Sequence, residues 1–316
     1  MHTDSPPPPF GHIVIGIPTF RRAVQLQALL DSLLPELAQH TAWVIVGDND
    51  CGDSAPALVQ TFRAGWPQAV CVPVAARGVA EVRNALLREA CARAPDWRWL
   101  VMLDDDGLVT PGWLHNLLAT GEAQQAHLVG GPVDGVLPPG TGALARNSIF
   151  AARRRWPTGR VPTLNTTQNL AIARQTLALV GEPLFGREYG ASGGEDYDLF
   201  RRTARAGGVL AWCDEAVVRE PAPADRLTAR ALLYRYASTG AYMARIDHAH
   251  DGLAKVWLQA VKGLCGAAWH AARGALRLDA NLLARGTLSA AHQLGRIGGL
   301  LGARSHRYVA PSDRKA

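Results

Sequence analysis

The chain has 316 residues, of which 48% are hydrophobic, 19% charged and 7% aromatic. This length allows one large α/β domain or a catalytic domain with an appendage, and the composition excludes an intrinsically disordered chain. The formal net charge of +6 is unevenly divided, because residues 1–225 carry a net −4 and residues 226–316 a net +10; a basic segment of this kind faces a polyanion or forms a solubilising surface.

The N-terminal residues 1–11 are polar and contain four consecutive prolines. This composition predicts an extended tail and not a secretory signal. The five cysteines are scattered without a C-x-x-C pair, so their spacing predicts neither a disulfide framework nor a zinc site, and it favours a reducing cytoplasm. No run of 18 uncharged apolar residues occurs, and we therefore expect no membrane-spanning helix.

Short apolar segments alternate with amphipathic segments over the first 135 residues. The apolar segments predict strands at residues 13–17, 43–46, 70–74, 99–103 and 128–133. Helical spacing predicts helices at residues 26–34, 78–93 and 111–118, with Pro35 marking the end of the first. Uniformly apolar strands that alternate with helices indicate an open, doubly wound α/β unit with a mostly parallel sheet. Pro73 indicates an edge position or a short length for the third strand.

The pattern is looser after residue 135. Residues 138–162 are rich in glycine and proline, and we expect loops and short strands around a site. Further on, the pattern predicts helices near 174–180 and 195–206, a strand at 209–212, and Ala-, Leu-, Gly- and Arg-rich helices from residue 225 to about residue 303. The expected organisation is a tail (1–11), a catalytic domain (12–224) and a basic helical region (225–316).

Unusual residues follow three of the predicted strands, at the strand ends where an open parallel sheet binds its ligands. They are Pro18, Thr19, Phe20 and Arg21 after the first strand, Asp48, Asn49 and Asp50 after the second, and Asp104, Asp105 and Asp106 after the strand that ends at Leu103. Asp104 and Asp106, two residues apart on an extended segment, would point the same way and share a cation such as Mg²⁺ or Mn²⁺. A solvated acidic turn is the alternative.

Paired glycines precede acidic residues in the segment Gly193–Arg202. The glycines would let the backbone approach a ligand closely, and the helix dipole favours Glu195 and Asp196 in the first turn. A carboxylate at this position could act as general base for a hydroxyl nucleophile, although helix capping alone explains the same residues.

Two nucleotide-binding motifs are absent after the first strand. The lack of Gly-x-Gly-x-x-Gly and of Gly-x-x-x-x-Gly-Lys-Ser/Thr argues against a dinucleotide oxidoreductase and a P-loop ATPase. Nucleotide phosphates would then be neutralised by the metal and by arginines such as Arg77 and Arg83. The alternative is that these arginines are only solvated residues at the start of a helix.

Taken in order, these segments resemble family 2 glycosyltransferases of the GT-A fold. The resemblance covers roughly residues 12–245 and is carried by Pro18-Thr19-Phe20-Arg21, Asp48-Asn49-Asp50, Arg77-Gly78, Arg83-Asn84, Leu103-Asp104-Asp105-Asp106 and Gly194-Glu195-Asp196. Gly131-Pro132-Val133 and the Arg-rich stretch after Pro221 narrow it to the bacterial branch that builds exopolysaccharide repeat units of the succinoglycan type. The implied fold is an open, mostly parallel sheet with helices on both faces, followed here by an amphipathic helical extension.

The resemblance also implies roles for single residues. It implies that the nucleotide sugar is bound by the following residues: Pro18, Thr19, Arg21, Asp48, Arg77, Arg83, Asp104 and Asp105. Asp104 and Asp106 match the D-x-D motif, and Asp106 would bind Mn²⁺ or Mg²⁺ most directly. Asp196 would take the proton of the acceptor hydroxyl, with Glu195 as second candidate. Gly47 stands where many relatives have another acidic residue.

The implied reaction is an inverting transfer of a sugar from a nucleotide-diphosphate sugar, expected to be a UDP-sugar, to a saccharide hydroxyl. The acceptor would be linked to polyprenyl diphosphate, or free, in cell-surface polysaccharide synthesis. One alternative is a nucleotidyltransferase of sugar activation, which needs a glycine-rich loop that Pro18–Arg22 lacks. The other is a non-enzymatic polyanion-binding protein that uses the basic region.

The basic C-terminal region is amphipathic. Its predicted apolar stripe consists of Leu253, Val256, Trp257, Ala260, Val261 and Leu264. Such helices either pack on the catalytic domain or lie on an anionic leaflet. With a lipid-linked acceptor, the second interpretation places the enzyme in the cytoplasm at the inner face of the membrane, and nucleic acid is not an expected partner. Arg226, Arg230 and Arg235 are then candidates for contact with the acceptor's phosphates.

Overall fold

The computed structural model describes residues 10–190 and 192–303. Residues 1–9 of the predicted tail lie outside the described residues. Phe10, which the sequence analysis places in that tail, is buried, and its ring centroid is 5.3 Å from that of His115.

The described residues contain eleven strands, ten α-helices and two short 3-10 helices. The strands are β1 (His12–Thr19), β2 (Ala42–Asp48), β3 (Ala69–Pro73), β4 (Trp97–Leu103), β5 (Leu108–Val109), β6 (Leu128–Gly130), β7 (Val133–Val136), β8 (Gly159–Arg160), β9 (Asn169–Ala173), β10 (Leu210–Trp212) and β11 (Val218–Pro221). The helices are α1 (Ala23–Leu37), α2 (Ser54–Phe62), α3 (Val79–Arg93), α4 (Trp113–Gln124), α5 (Ala143–Arg146), α6 (Gln175–Val180), α7 (Glu195–Arg205), α8 (Ala229–Asp251), α9 (Leu253–Leu276) and α10 (Ala280–Leu300). The 3-10 helices are Arg187–Tyr189 and Ala224–Leu227.

The chain forms two compact units. The first comprises the described residues up to Val133 together with Arg155–Gly186 and Leu199–Arg219. The second comprises Asp134–Arg154, Arg187–Asp198 and the described residues from Glu220 onward. Two segments of the second unit therefore precede residue 224, at which the sequence analysis places its boundary.

An eight-stranded sheet forms the centre of the first unit. Its strand order is β3-β2-β1-β4-β9-β6-β10-β8. Strands β3, β2, β1 and β4 run parallel, β6 runs parallel to β10, and β9 and β8 are antiparallel to their neighbours. The predicted mostly parallel sheet is confirmed, as is the edge position of β3. Strand β9 was not predicted.

Helices cover both faces of this sheet because the strand side chains alternate. In β1, Ile13, Ile15 and Ile17 belong to one hydrophobic cluster and Val14 to another. Leucines of α1 and α4 complete the first cluster, and apolar residues of α3 complete the second. A strand covered on both sides needs apolar residues at every position, which explains the continuous apolar segments of the sequence.

Three predicted boundaries were wrong. Helix α1 continues through Pro35 to Leu37, because a proline in the last turn costs only a single backbone hydrogen bond near the helix end. Helix α4 begins at Trp113 and not at Pro111, since Gly112 has a left-handed φ of +79°. The apolar segment 128–133 is divided between β6 and β7.

The strand order reverses beside β1. The chain builds β1, β2 and β3 outward in one direction and then returns to place β4 on the other side of β1. The carboxyl ends of β1, β2 and β4 therefore lie at one edge of the sheet, at the switch point where such sheets bind ligands.

The long C-terminal helices of the second unit pack on one another. Helix α10 packs against both α8 and α9, whereas α8 and α9 contact each other far less. The α8–α10 contact is close because Gly295 faces the backbone of α8, where a Cβ would overlap the carbonyl oxygen of Ala237. The predicted helical extension is confirmed. Within residues 10–190 and 192–303, no helix is long and apolar enough to cross a membrane.

Candidate active site

A buried hydrogen bond joins the ends of β1 and β4 at the switch point. The hydroxyl of Thr19 donates to Asp105 Oδ2 at 2.7 Å. Arg22 donates through Nη1 to Asp105 Oδ1 at 2.9 Å and to Asp106 Oδ2 at 2.7 Å. Burial raises the pKa of Asp105, and the charge of Arg22 opposes that shift. Arg22 thus compensates two carboxylates that repel each other, a role that sequence reasoning missed although Arg22 directly follows Arg21.

The three aspartates after β4 form a turn. The backbone N–H of Gly107 donates to the carbonyl of Asp104 at 3.2 Å. The predicted extended segment is therefore wrong, and the turn interpretation holds for the backbone. The turn is not simply solvated, since Asp105 and Asp106 are buried and Asp104 is half-buried.

Arg83 reaches the same turn from α3. Its Nη2 donates to Asp104 Oδ1 at 3.2 Å, and its guanidinium carbon lies 5.8 Å from the ring centroid of Phe185. The neighbouring Asn84 exchanges two hydrogen bonds with the backbone of Phe185. Arg83 is buried, so it is not simply a solvated arginine at the start of a helix.

Two carboxylates of this turn fit a hard divalent cation. Asp104 and Asp106 offer oxygen ligands beside the positive charges of Arg83 and Arg22. Within the part of the chain that the structure describes, no group of three or more His, Cys, Asp or Glu side chains could hold a metal ion. The two carboxylates supply hard oxygen ligands, the type that Mg²⁺ or Mn²⁺ takes when it completes its shell with water and substrate phosphates.

The loop after β2 is shaped by Asp48. Its carboxylate is buried and accepts the backbone N–H groups of Asp50 at 2.9 Å and Gly52 at 3.1 Å. Arg21 donates through Nε to Asp50 Oδ1 at 2.8 Å. This contact ties the loop after β2 to the segment after β1. The predicted contact of Asp48 with a nucleobase stays a prediction.

An exposed aromatic ring lies beside this loop. The guanidinium carbons of Arg21 and Arg77 lie 5.0 Å and 5.1 Å from the ring centroid of Phe20. Arg77 also donates to the backbone carbonyl of Asn49. The side-chain amide of Asn49 donates to the backbone carbonyls of Val74 and Ala76. Phe20 and Asn49 belong to segments that the sequence analysis singled out, but their individual roles were missed.

In the second unit, the start of α7 packs closely on α8. Gly194 has φ +108°, and a Cβ at this position would lie 2.6 Å from Cδ2 of Tyr242. Gly194 therefore allows a close approach to helix α8. The predicted approach of its backbone to a ligand stays a prediction. Glu195 is buried, while Asp196 is half-buried and accepts the backbone N–H of Tyr197 at 2.7 Å.

A network of buried and half-buried polar contacts links this segment, α8 and α10. The Tyr197 hydroxyl donates to Asp247 Oδ1 at 2.7 Å, and Arg296 donates to the other oxygen of Asp247 at 2.9 Å. Arg296 also donates to Gln259 Oε1 at 3.3 Å, and His250 Nε2 lies 3.5 Å from Asp198 Oδ1. Sequence reasoning missed this network, whose signal was the acid Asp247 within an Ala-rich helical segment.

The predicted site residues thus fall into two groups. Thr19, Arg21, Asp48, Arg77, Arg83 and Asp104–Asp106 lie at one sheet edge of the first unit, where Pro18 is paired with Gly47 in the register of β1 and β2. Glu195 and Asp196 belong to the second unit.

The chain is similar to proteins of known family. It matches the model described as "Glycosyl transferase family 2" over residues 14–178. It is 34% identical over 259 residues to the "Succinoglycan biosynthesis protein ExoM" of Rhizobium meliloti (strain 1021), which covers 80% of this chain and 81% of that protein.

Solved structures share the fold. The mannosyltransferase PcManGT from Pyrobaculum calidifontis, in complex with GDP-Man and Mn²⁺, matches with a TM-score of 0.63 and 18% identity over 94% of this chain and 89% of that one. S. aureus TarS 1-349 in complex with UDP-GlcNAc matches with a TM-score of 0.51 and 14% identity over 92% of each chain. At these identities the likeness supports the fold, and it confirms the predicted fold class.

Proposed function

Because the chain belongs to glycosyltransferase family 2, we propose that it is an inverting, metal-dependent transferase of exopolysaccharide synthesis. It would move a sugar from a nucleotide-diphosphate sugar to a hydroxyl of a saccharide acceptor. The observation that carries this proposal is the acidic turn after β4, in which Arg22 and Arg83 hold Asp104, Asp105 and Asp106 at the switch point of the sheet.

The donor is proposed to bind along the carboxyl edge of the first unit's sheet. Asp48, Thr19 and Pro18 would line the nucleobase pocket, and the exposed Phe20 ring offers an apolar surface beside it. Arg21, Arg77 and Arg83 supply positive charge for the diphosphate. The PcManGT structure contains GDP-Man and a TarS structure contains UDP-GlcNAc; for this chain we propose a UDP-sugar.

Asp104 and Asp106 are proposed to hold Mn²⁺ or Mg²⁺, with Asp106 the more direct ligand. When bound, the cation supplies positive charge for the departing nucleoside diphosphate. The chain's own part is electrostatic. Arg22 keeps the Asp105 and Asp106 carboxylates in place through two hydrogen bonds, and the buried Arg83 lies within reach of charge that develops nearby.

Asp196 is proposed as the general base, with Glu195 as second candidate. The acceptor oxygen attacks the anomeric carbon while its proton passes to the carboxylate and the bond to the leaving phosphate oxygen breaks, which inverts that carbon. Asp196 is the more exposed of the two acids, and the backbone N–H of Tyr197 orients its carboxylate. The hydrogen bond from Tyr197 to Asp247 fixes this segment to α8.

The acceptor is proposed to be a saccharide linked to polyprenyl diphosphate, and the protein to act in the cytoplasm at the inner face of the membrane. A relative named for succinoglycan biosynthesis and the basic region from residue 226 support this proposal. Arg226 and Arg230 remain candidates for the acceptor's phosphates. Arg235 is engaged within the second unit, where its guanidinium carbon lies 4.9 Å from the ring centroid of Phe150.

Metal-dependent transfer from UDP-sugars tests the proposal. Activity should require Mn²⁺ or Mg²⁺ and should fall by roughly a hundredfold or more in Asp106→Ala. The control is Asp96→Ala, because Asp96 is an exposed acid of the same unit whose partner is His12. Full activity in Asp106→Ala would remove the metal assignment. Release of pyrophosphate from UTP and a sugar 1-phosphate, with no transfer from UDP-sugars, would instead identify a nucleotidyltransferase.

A further inference from the structure

An apolar groove runs between α8 and α9 in the second unit, with α10 as its floor. Its volume is about 640 Å³, within the range of about 300–1,000 Å³ that is typical of small-molecule sites. It is lined by Leu233, Tyr234, Ala237, Leu264, Ala267, Ala268, Ala271, Gly286, Thr287, Ala290, Ala291 and Leu294.

The lining presents almost no polar chemistry. Thr287 donates its hydroxyl to the carbonyl of Leu283, one turn earlier in its own helix, at 2.9 Å. Tyr234 is half-exposed at the rim, and the other lining residues are apolar. A polar ligand would lose its hydrogen bonds to water in such a groove, so the lining favours a hydrocarbon chain.

The outward face of α9 continues this apolar surface. Its exposed apolar residues recur three or four positions apart, at Leu258, Val261, Cys265, Trp269, Ala272 and Leu276. This spacing places them along one side of the helix. Trp269 is 62% exposed and Leu276 86% exposed. The stripe predicted from sequence is a different one, and its Val256 and Ala260 are buried, as the packing alternative expects.

The charge around this face is positive. Residues 229–300 contain nine Lys and Arg residues and three Asp residues, and α9 contains no Asp or Glu. Each of the three acids is engaged: Asp247 with Arg296, Asp251 with Lys255, and Asp279 as the N-cap of α10. The basic residues of α9 and its C-terminal end, Lys255, Lys262, Arg273 and Arg277, therefore attract an anionic partner.

A second copy of the chain is a poor partner for this face. Helices that pair through an apolar seam of this spacing often have pairs of opposite charge beside the seam, which set the choice of partner. Two copies of α9 would bring Lys and Arg together with no acid of α9 to compensate them. Basic residues beside exposed apolar and aromatic side chains are instead the pattern of a helix that lies on an anionic bilayer.

We propose that the outward face of α9 and the α8–α9 groove dock the protein on an anionic phospholipid bilayer. Trp269 and Leu276 enter the acyl region, the groove receives a lipid acyl chain, and Lys262 and Arg277 contact the headgroups. The inference deepens the peripheral location in the proposed function, on which it rests, by naming the surface and its partner.

Vesicle co-sedimentation of the full chain tests this inference. Binding to vesicles of phosphatidylcholine and phosphatidylglycerol in equal amounts should exceed binding to phosphatidylcholine alone and should weaken with salt. Trp269→Gln and Leu276→Gln should each weaken binding by roughly tenfold or more, the loss expected for one buried apolar side chain. The control is Val24→Gln, since Val24 is an 81% exposed apolar residue of the first unit. Ala268→Phe, which fills the groove, should also weaken binding.

Three results would overturn the inference. The first is unchanged vesicle binding in the Trp269→Gln and Leu276→Gln variants. The second is a concentration-dependent dimer that these substitutions abolish, which would assign the face to a second copy. The third is binding that requires a polyprenyl diphosphate lipid in the vesicles, which would assign the groove to the acceptor. Transfer to a lipid-linked saccharide acceptor in detergent micelles should be unchanged in all these variants. Failure of the wild type to perform this transfer would count against the proposed function and not against this surface.

Discussion

Removal of one partner of the buried ion pair between Asp247 and Arg296 should strongly destabilise the second unit. The two residues are 4% and 6% exposed, and their side chains are 2.9 Å apart. In Asp247→Ala the guanidinium would remain buried beside the neutral amide of Gln259, so an uncompensated charge is left in the interior. Removal of one partner of such a pair costs about 3–5 kcal/mol of unfolding free energy.

The matched control is Asp251→Ala on the same helix. Asp251 pairs with Lys255, which is 58% exposed, at 3.4 Å. A pair at the surface contributes at most about 1 kcal/mol. The double variant Asp247→Ala/Arg296→Met should recover much of the lost stability, because neither charge then remains in the interior.

Urea unfolding of the full chain measures these free energies. The expected order of stability is wild type, then Asp251→Ala close to it, then the double variant, and last Asp247→Ala. If Asp247→Ala were no more costly than Asp251→Ala, the pair would not be the buried contact on which this reasoning depends.

Two further predictions concern the same unit. Burial, and then the charge of Arg296, lower the pKa of His292 to about 4 from its ordinary 6.5; the unfolded chain therefore binds this proton at a higher pH than the folded chain, and stability should fall by up to about 3 kcal/mol as pH decreases from 6.5 to 4. Unfolding measured at both pH values should show this loss in the wild type, and an equal loss in His292→Gln would contradict it. Gly194→Ala should cost more stability than Gly207→Ala, because both glycines have positive φ but only Gly194 would bring its Cβ to 2.6 Å from Tyr242. Melting temperatures of the two variants measure this difference. Equal decreases would contradict the prediction, because Tyr242 would then move aside at no cost in stability.

Much of the first unit could be predicted from sequence because its physical signals are local. The uniformly apolar segments identify β1, β2, β3 and β4, and helical spacing identifies α1 and α3. Strand β9 could not be predicted, because Asn169–Ala173 is short and begins with a polar residue. Its place in the sheet depends on antiparallel pairing with β4 and β6, which are distant in sequence.

The candidate site could be predicted in its acids but not in its supports. The three acids Asp104, Asp106 and Asp196 stand in recognisable motifs. Arg22 instead acts through hydrogen bonds to two aspartates that lie more than eighty positions further along the chain. Similarly, Asp247 meets Tyr197 fifty residues earlier in the chain. Such contacts depend on the tertiary fold, and no local periodicity carries them.

The assignment of Asp196 as general base is the central claim, and Asp196→Asn tests it most directly. Donor affinity, measured with Mn²⁺ and a UDP-sugar, should be unchanged, because the proposed donor residues all lie in the first unit. Single-turnover transfer to the acceptor should slow by about 10²–10⁴-fold, the contribution of a positioned general base. Transfer at the wild-type rate would contradict the assignment and direct the same measurement to Glu195→Gln.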